Sequence, residues 1–285
     1  MNDTPDFLYH YTSIDGLAHI LSSKQIRFSR LDALDDINEG QSEDGLDWRK
    51  YFFISCWTSE HEESIPLWHM YTPDMKGVRI KLPRNMFKEH LISLSDFPSF
   101  INVADTSNLP AGADIKVKCK MPYEDLHGED YFVMPTSFNS DVWPLKVIYT
   151  DDLQLLRQQI LIRERNNDQT ILNMAEVARY KSKAWEFQKE WRFKIHCHNA
   201  APRSLKNKVS EDTYYSLMLK ELSSVNKGVS QQHLFMTLSD EALKEIEITL
   251  GPKIDEAQRI IIKSLIACFC PKASLKDSAL TGTIR

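Results

Sequence analysis

Long apolar runs are missing from this 285-residue chain. No stretch approaches the roughly 18 residues that carry a helix across a bilayer, so no membrane contact is expected. Met1–Asp6 is polar and acidic, unlike the opening of a signal or transit peptide. Cysteine is scarce. Five residues, an odd number at scattered spacings, do not make the disulfide framework of a small secreted domain, and a cytoplasmic setting is expected. Positive charge is not in excess either. With 35 Lys and Arg against 40 Asp and Glu, the net charge is -5 and the pI about 6.0. The chain as a whole therefore exerts no general pull on nucleic-acid phosphates, although an enzyme acting on nucleic acid stays open. There is no internal repeat and no low-complexity tract. No Gly-rich phosphate loop follows a strand, which argues against a doubly wound dinucleotide fold. A nucleophile elbow is absent as well. Cys268-x-Cys270 and His196-Cys197-His198 lack the usual spacing of metal ligands, so no metal site is expected.

What is present is an ordinary globular composition, 42% hydrophobic and 26% charged, long enough to bury a sizeable core. Phe7–Tyr11 is aromatic and β-prone, and reads as a first strand. Thr12 or Ser13 then caps a helix with Leu17, Ile20 and Leu21 on one face. Ile26–Ser29 is a short strand, and Leu31–Gly45 an acidic loop too polar to bury. Tyr51–Trp57 reads as a buried strand, followed by a short helix carrying Ile65, Trp68 and Tyr71. Gly77–Leu82 alternates apolar and basic residues, as a half-exposed strand would. Residues 95–144 read as an irregular insertion, Val147–Thr150 as a strand, and Asp152–Arg165 and Thr170–Ala184 as helices. The period then drops to two at Trp191–Ile195, a strand entered from a turn at Glu186–Lys189. A helix near Asp212–Leu222, a strand near Ile246–Leu250 and a helix at Glu256–Ile266 complete an α+β pattern in one domain spanning 1–285.

Three groups of residues have chemical interest. His10, beside Tyr11 and Thr12 at a strand end, can hydrogen-bond a ribose or phosphate; packed aromatics at the edge of a core are the commoner reading. Ser55 sits in an apolar strand just upstream of Trp68 and Tyr71, whose rings can stack on a planar ligand or simply fill a core. Gln188 and Glu190 stand two apart, so in extended backbone both side chains share a face. A carboxylate there can stabilise positive charge developing at an anomeric carbon. It can equally belong to a solvated turn. Arg27, Arg30, Arg79 and Arg84 suit a pyrophosphate, but singly they read as solvated strand ends.

The combination carries a resemblance. Leu8-Tyr9-His10-Tyr11-Thr12-Ser13, Ile54-Ser55-Cys56-Trp57, Leu67-Trp68 with Tyr71, and Gly77-Val78-Arg79-Ile80 come in order. Trp185 with Glu190-Trp191-Arg192 and Leu250-Gly251-Pro252-Lys253 follow. Together they resemble a large bacterial family labelled a domain of unknown function, which looks like a distant relative of ADP-ribosyltransferases. The resemblance implies a split, mixed or antiparallel β core with flanking helices, and NAD as substrate. It implies that Glu190 drives transfer and that Gln188, two before it, influences the acceptor. His10, with Tyr11 and Thr12, would bind NAD; Ser55 would support the pocket, and Trp68 and Tyr71 would supply its aromatic wall. The acceptor would be nucleic acid or protein, as in toxins and phage-defence effectors, with a neutralising antitoxin as a further partner. A non-catalytic module binding a nucleotide or a partner is the alternative. Two departures stand out: the family's Asn-Asp-Pro turn is Asp35-Asp36-Ile37 here, and its Glu two before the catalytic one is Gln188.

Overall fold

In the computed structural model, which describes residues 4–97, 115–138, 143–163, 170–225 and 227–284, the aromatic opening forms strand β1 (Phe7–Thr12). After it come α1 (Ile14–Ser23), β2 (Gln25–Arg30), β3 (Phe52–Thr58), α2 (Ile65–Tyr71) and β4 (Val78–Pro83). The middle of the chain holds β5 (His90–Ser93), β6 (Lys116–Cys119), α3 (Tyr123–Leu126), β7 (Tyr131–Val133), β8 (Leu145–Lys146) and β9 (Ile148–Thr150). Then follow α4 (Leu153–Leu156), β10 (Leu161–Arg163), β11 (Thr170–Leu172), β12 (Tyr180–Ser182) and β13 (Glu190–Asn199). The last elements are α5 (Glu211–Leu222), β14 (His233–Thr237), α6 (Asp240–Lys244), β15 (Glu247–Leu250), α7 (Glu256–Phe269) and β16 (Ser274–Lys276).

The class is α+β, with a mixed but mostly antiparallel sheet. Among the described residues ten strands join in the main sheet, along the order β14-β2-β3-β1-β4-β15-β16, with β13 on β3 and β7 and β8 on β13. The central event is at β3. One edge pairs with β13 from Glu190↔Thr58 to His196↔Phe52. The other edge is shared: β2 takes its start at Ser29↔Ile54 and Arg30↔Phe53, and β1 meets its end at Tyr9↔Thr58. Between those contacts the sheet divides. β1 instead runs the length of β4, from Phe7↔Pro83 to Thr12↔Val78.

Local chemistry explains the well-formed pieces. The Ser13 hydroxyl accepts from the Gly16 amide 3.0 Å away and caps α1, whose Leu17, Ile20 and Leu21 face the core. Asp255 and Gln258 form a reciprocal capping box at the start of α7, which buries Ile262 and Ile266 and packs on α1. Trp48, Tyr51, Phe28, Phe52, Phe53, Phe132 and Phe193 are fully enclosed in one core. Truncating any of these aromatics to Ala should cost about 3–5 kcal/mol. Gly77 and Gly251 let backbones close up: a Cβ on Gly77 would lie 2.3 Å from the Thr12 carbonyl, and one on Gly251 2.4 Å from that of Met75.

Several expectations need correction. Asp152–Arg165 is a single helical turn, α4, followed by strand β10. The amides of Ile160 and Leu161 donate to the Asp44 carboxylate at 2.9–3.1 Å, so they are spent outside a helix. Thr170–Ala184 is not a helix either, and residues 164–169 lie outside the described set. The carbonyls of Met174, Ala175 and Val177 accept from Lys194 Nζ, the Ala178 carbonyl accepts from Arg192, and Ala178 itself has φ +64°. Helical bonding cannot compete with that. Tyr180–Ser182 instead pairs in parallel with Ile148–Thr150. β4 is more enclosed than its alternation suggests, since Arg79 is buried along with Val78, Ile80 and Leu82. The acidic loop after β2 is not wholly exposed, because Asp36 and Glu39 are buried. Within 95–144, residues 98–114 and 139–142 are outside the described set, and the rest contains β6, α3 and β7. β7 pairs with the end of β13. Among the described residues no helix is long and apolar enough to cross a membrane.

Candidate active site

The division of the sheet opens a pocket whose empty space, open solvent included, is about 380 Å³. β1 supplies Tyr9, His10 and Tyr11, and β3 supplies Cys56, Trp57 and Thr58; α2 adds Leu67 and Tyr71. Gln188 and Glu190 complete the lining at the start of β13.

Of the eight residues singled out in the sequence, five meet here: His10, Tyr11, Tyr71, Gln188 and Glu190. Thr12, Ser55 and Trp68 do not line the pocket. Thr12 lies at the end of β1, packed against Gly16 and Gly77. Ser55 is buried and accepts from Trp57 Nε1 at 2.9 Å, so it holds a lining residue from behind. Trp68 is fully buried under α2, edge-on to Tyr11 at 4.8 Å, and donates to Glu63 at 3.0 Å.

His10 Nδ1 lies 2.9 Å from the Cys56 carbonyl, across the gap in the sheet. A carbonyl can only accept, so Nδ1 carries the hydrogen and Nε2 of the neutral ring is an acceptor. Burial, above all, lowers the His10 pKa and favours that neutral form. The Tyr11 hydroxyl accepts from the Ser64 amide at 3.0 Å and so fixes the start of α2. Arg79 lies over the Tyr9 ring, 4.6 Å from its centroid, and donates to the His61 carbonyl. It is a buried strut rather than a solvated strand end. Arg30 is likewise committed, with Nε 2.6 Å from Asp32.

Glu190 is the most heavily bonded charged group of the lining. Its oxygens accept from Arg192 Nε at 2.6 Å and Nη2 at 2.9 Å, a bidentate pair, and from Lys181 Nζ at 3.2 Å. Arg192 also bonds Glu39, whose carboxylate reaches in from the acidic loop, and Lys181 lies 3.4 Å from the same Glu39. Burial alone would raise the Glu190 pKa. Arg192 and Lys181 more than reverse that and hold it at about 2, an anion at any physiological pH. The Cys56 thiol beside it moves the other way, well above the usual thiol range, through burial and the Glu190 charge.

Gln188 is not in extended backbone. It ends the 3₁₀ turn Lys183–Gln188, and Lys189 follows in the left-handed region at φ 45°. Gln188 and Glu190 still converge, because Lys181 Nζ donates to Gln188 Oε1 at 2.8 Å as well as to Glu190. Gln188 Nε2 then donates to the Tyr71 hydroxyl at 2.8 Å, which itself donates to Asp35 at 3.1 Å. A continuous polar chain thus joins Asp35, Tyr71, Gln188, Lys181 and Glu190.

Residues 67–193 match the family model of a protein of unknown function, DUF2971. No curated protein and no solved structure matched. The DUF2971 span includes Tyr71, Lys181, Gln188, Glu190 and Arg192, and excludes His10, Tyr11, Thr12, Glu39 and Ser55. The family description carries no activity, so any enzymatic reading rests on the site itself.

No site role follows from the sequence for Glu39, Lys181 or Tyr149, and Arg192, Cys56 and Asp35 stand out only within its motifs. Arg192 was legible in principle, since residues 190 and 192 share one face of the same strand. Tyr149, whose hydroxyl accepts from the Glu190 amide at 2.9 Å, and Glu39 carry no such local signal. For both, the partner lies far away in sequence.

Proposed function

We propose that this chain is an NAD-dependent ADP-ribosyltransferase whose catalytic carboxylate is Glu190. The observation that carries the reading is an ionised, buried Glu190 lining a largely aromatic pocket, next to an amide and within a divided sheet. The division of the sheet at β1 and β3 also suits the split core expected from the ADP-ribosyltransferase resemblance. NAD enters with its nicotinamide ring against Tyr71, Tyr11 and Trp57. The glycosidic C–N bond breaks, nicotinamide departs with the bonding electron pair, and positive charge develops at the anomeric carbon. Glu190 stabilises that charge and accepts from a ribose hydroxyl. An acceptor oxygen or nitrogen then donates its lone pair to the anomeric carbon and loses a proton. Gln188 is placed to orient that acceptor, which we take to be nucleic acid or protein. A toxin or defence effector with a neutralising antitoxin protein is the biological setting we infer.

A carboxylate offers about four acceptor directions. Arg192 takes two and Lys181 one. The remaining one is contested by the Cys56 thiol, a weak donor that a ribose hydroxyl displaces. The same saturation favours a second reading, a module that binds a nucleotide or partner without turnover and uses Glu190 as an internal strut. The test is incubation of the purified protein and cell extract with NAD labelled in the adenylate phosphate, followed by mass spectrometry. Label on a macromolecule together with free nicotinamide, both lost in Glu190→Gln, is the expected result. No label and no nicotinamide, with ligand affinity unchanged in Glu190→Ala, would establish the binding module instead.

A further inference from the structure

Four buried charges meet behind the pocket: Glu39 and Glu190 against Lys181 and Arg192, with side chains between 0% and 5% exposed. They come from four places, namely the loop after β2, the two ends of the Glu190–Arg192 triplet and β12. We propose that Glu39 is a positioning residue of the Glu190 site, acting through Arg192 and Lys181 to keep the Glu190 carboxylate from being over-neutralised. This rests on the role assigned to Glu190 above.

The geometry leaves each cation divided between two anions. The Arg192 guanidinium gives Nε and Nη2 to Glu190 and Nη1 to Glu39 and to the Ala178 carbonyl, so its plane is fixed from both sides. Lys181 donates hydrogen bonds to Gln188 at 2.8 Å and Glu190 at 3.2 Å, and its ammonium makes an ion pair, without a hydrogen bond, with Glu39 Oε2 at 3.4 Å. With Glu39 present the quartet is electrically balanced. Without it, two cations at low local dielectric act on one carboxylate. Glu190 would stay ionised, but its charge would be spent on Arg192 and Lys181 rather than on the developing cation in the pocket. Released from the Glu39 ion pair, the Lys181 ammonium would also move closer to Glu190 and shift the Gln188 amide that meets Tyr71.

Cys56 offers a readout that does not depend on turnover. It lines the pocket, and its thiol senses Glu190, Arg192 and Lys181 directly. The other groups facing this space are Tyr71 from α2, Asp35 from the loop, Tyr149 from β9 and His10 from β1. Of the remaining cysteines Cys268 is exposed and Cys119, Cys197 and Cys270 are buried, so a Cys268→Ser background isolates the probe. The experiment is the rate of Cys56 alkylation by iodoacetamide at pH 8, with the nicotinamide-release rate measured on the same proteins.

Glu39→Gln should speed alkylation at least about tenfold, equivalent to a thiol pKa lowered by about one unit. Glu39→Asp, which keeps the charge, should stay within about threefold of the parent. The charge-balanced double variant Glu39→Gln with Lys181→Met should return toward the parent rate. In turnover, Glu39→Gln should lower kcat at least about tenfold with KM within about threefold. If the parent releases no nicotinamide, the transferase reading fails, and the alkylation rates still decide the role of Glu39. An unchanged alkylation rate in Glu39→Gln, while Glu190→Gln accelerates it, overturns the proposal. Should Glu39→Gln not fold, the double variant decides: folded with the parent rate supports it, unfolded overturns it.

Discussion

Glu190 and Arg192 at the start of β13, and His196 and His198 near its end, lie at alternate positions on one face of one strand. Glu190, Arg192 and His198 are buried, and His196 is half-buried. At the start, every charge has a partner of opposite sign, and burial leaves the groups ionised. Near the end, His196 Nε2 and His198 Nδ1 have no hydrogen-bond partner, and the His196 ring stacks on Phe52 at 4.6 Å with 8° between planes. Burial there lowers both imidazoles, His198 to about 4, so the rings are neutral core residues. Lys194 lies between, its ammonium held by three carbonyls while burial pulls its pKa down. Depth alone does not decide whether a group keeps its charge. Partners do, and the pocket borders the paired end.

The largest test of that contrast is Arg192→Met. It leaves Glu39 and Glu190 buried with Lys181 as their one remaining cation, and should destabilise the fold by about 3–5 kcal/mol in urea unfolding. A loss below about 1 kcal/mol would mean that the quartet is not held together by its charges. The histidine end should respond to acid instead. The folded His198 pKa lies below the ordinary 6.5, so the unfolded chain binds the proton first. The stability is therefore complete above pH 6.5 and lost as the pH falls toward 4, by about 3 kcal/mol. Glu190 contributes in a lower window, between 4.5 and about 2. Unfolding midpoints of parent and His198→Phe at pH 7 and 4.5 check this, and the variant should lose the His198 share of the acid sensitivity while His196 and His10 keep theirs. The smallest effect belongs to Tyr71→Phe. It removes the hydroxyl joining Gln188 to Asp35 but keeps the ring, so stability should fall by about 1 kcal/mol and nicotinamide release by less than about tenfold. A loss as deep as that of a catalytic residue would put chemistry, rather than stacking, on Tyr71.

The same contrast explains what could be read from sequence. β1, β3, α1 and α7 are legible because their apolar period, caps and aromatic runs are local. Glu190 and Gln188 stand out in the sequence as a pair two residues apart, but Lys181, not the shared face of an extended strand, is what brings them together. Glu39 was not, because its Arg192 partner is 153 residues away and an acidic loop gives no sign of which carboxylate turns inward. Lys181 was hidden by a helical spacing that Ala178, at φ +64°, does not permit. Short strands such as β9 and β12, three residues each, owe their existence to pairing across the chain rather than to their own pattern.

One side-by-side measurement bears most directly on the central claim: nicotinamide release from NAD by the parent, Glu190→Gln and His198→Phe, each checked for folding by circular dichroism. A catalytic Glu190 entails a fall of at least about a thousandfold in Glu190→Gln and a rate within about threefold of the parent in His198→Phe. Equal rates in the parent and a folded Glu190→Gln would contradict it.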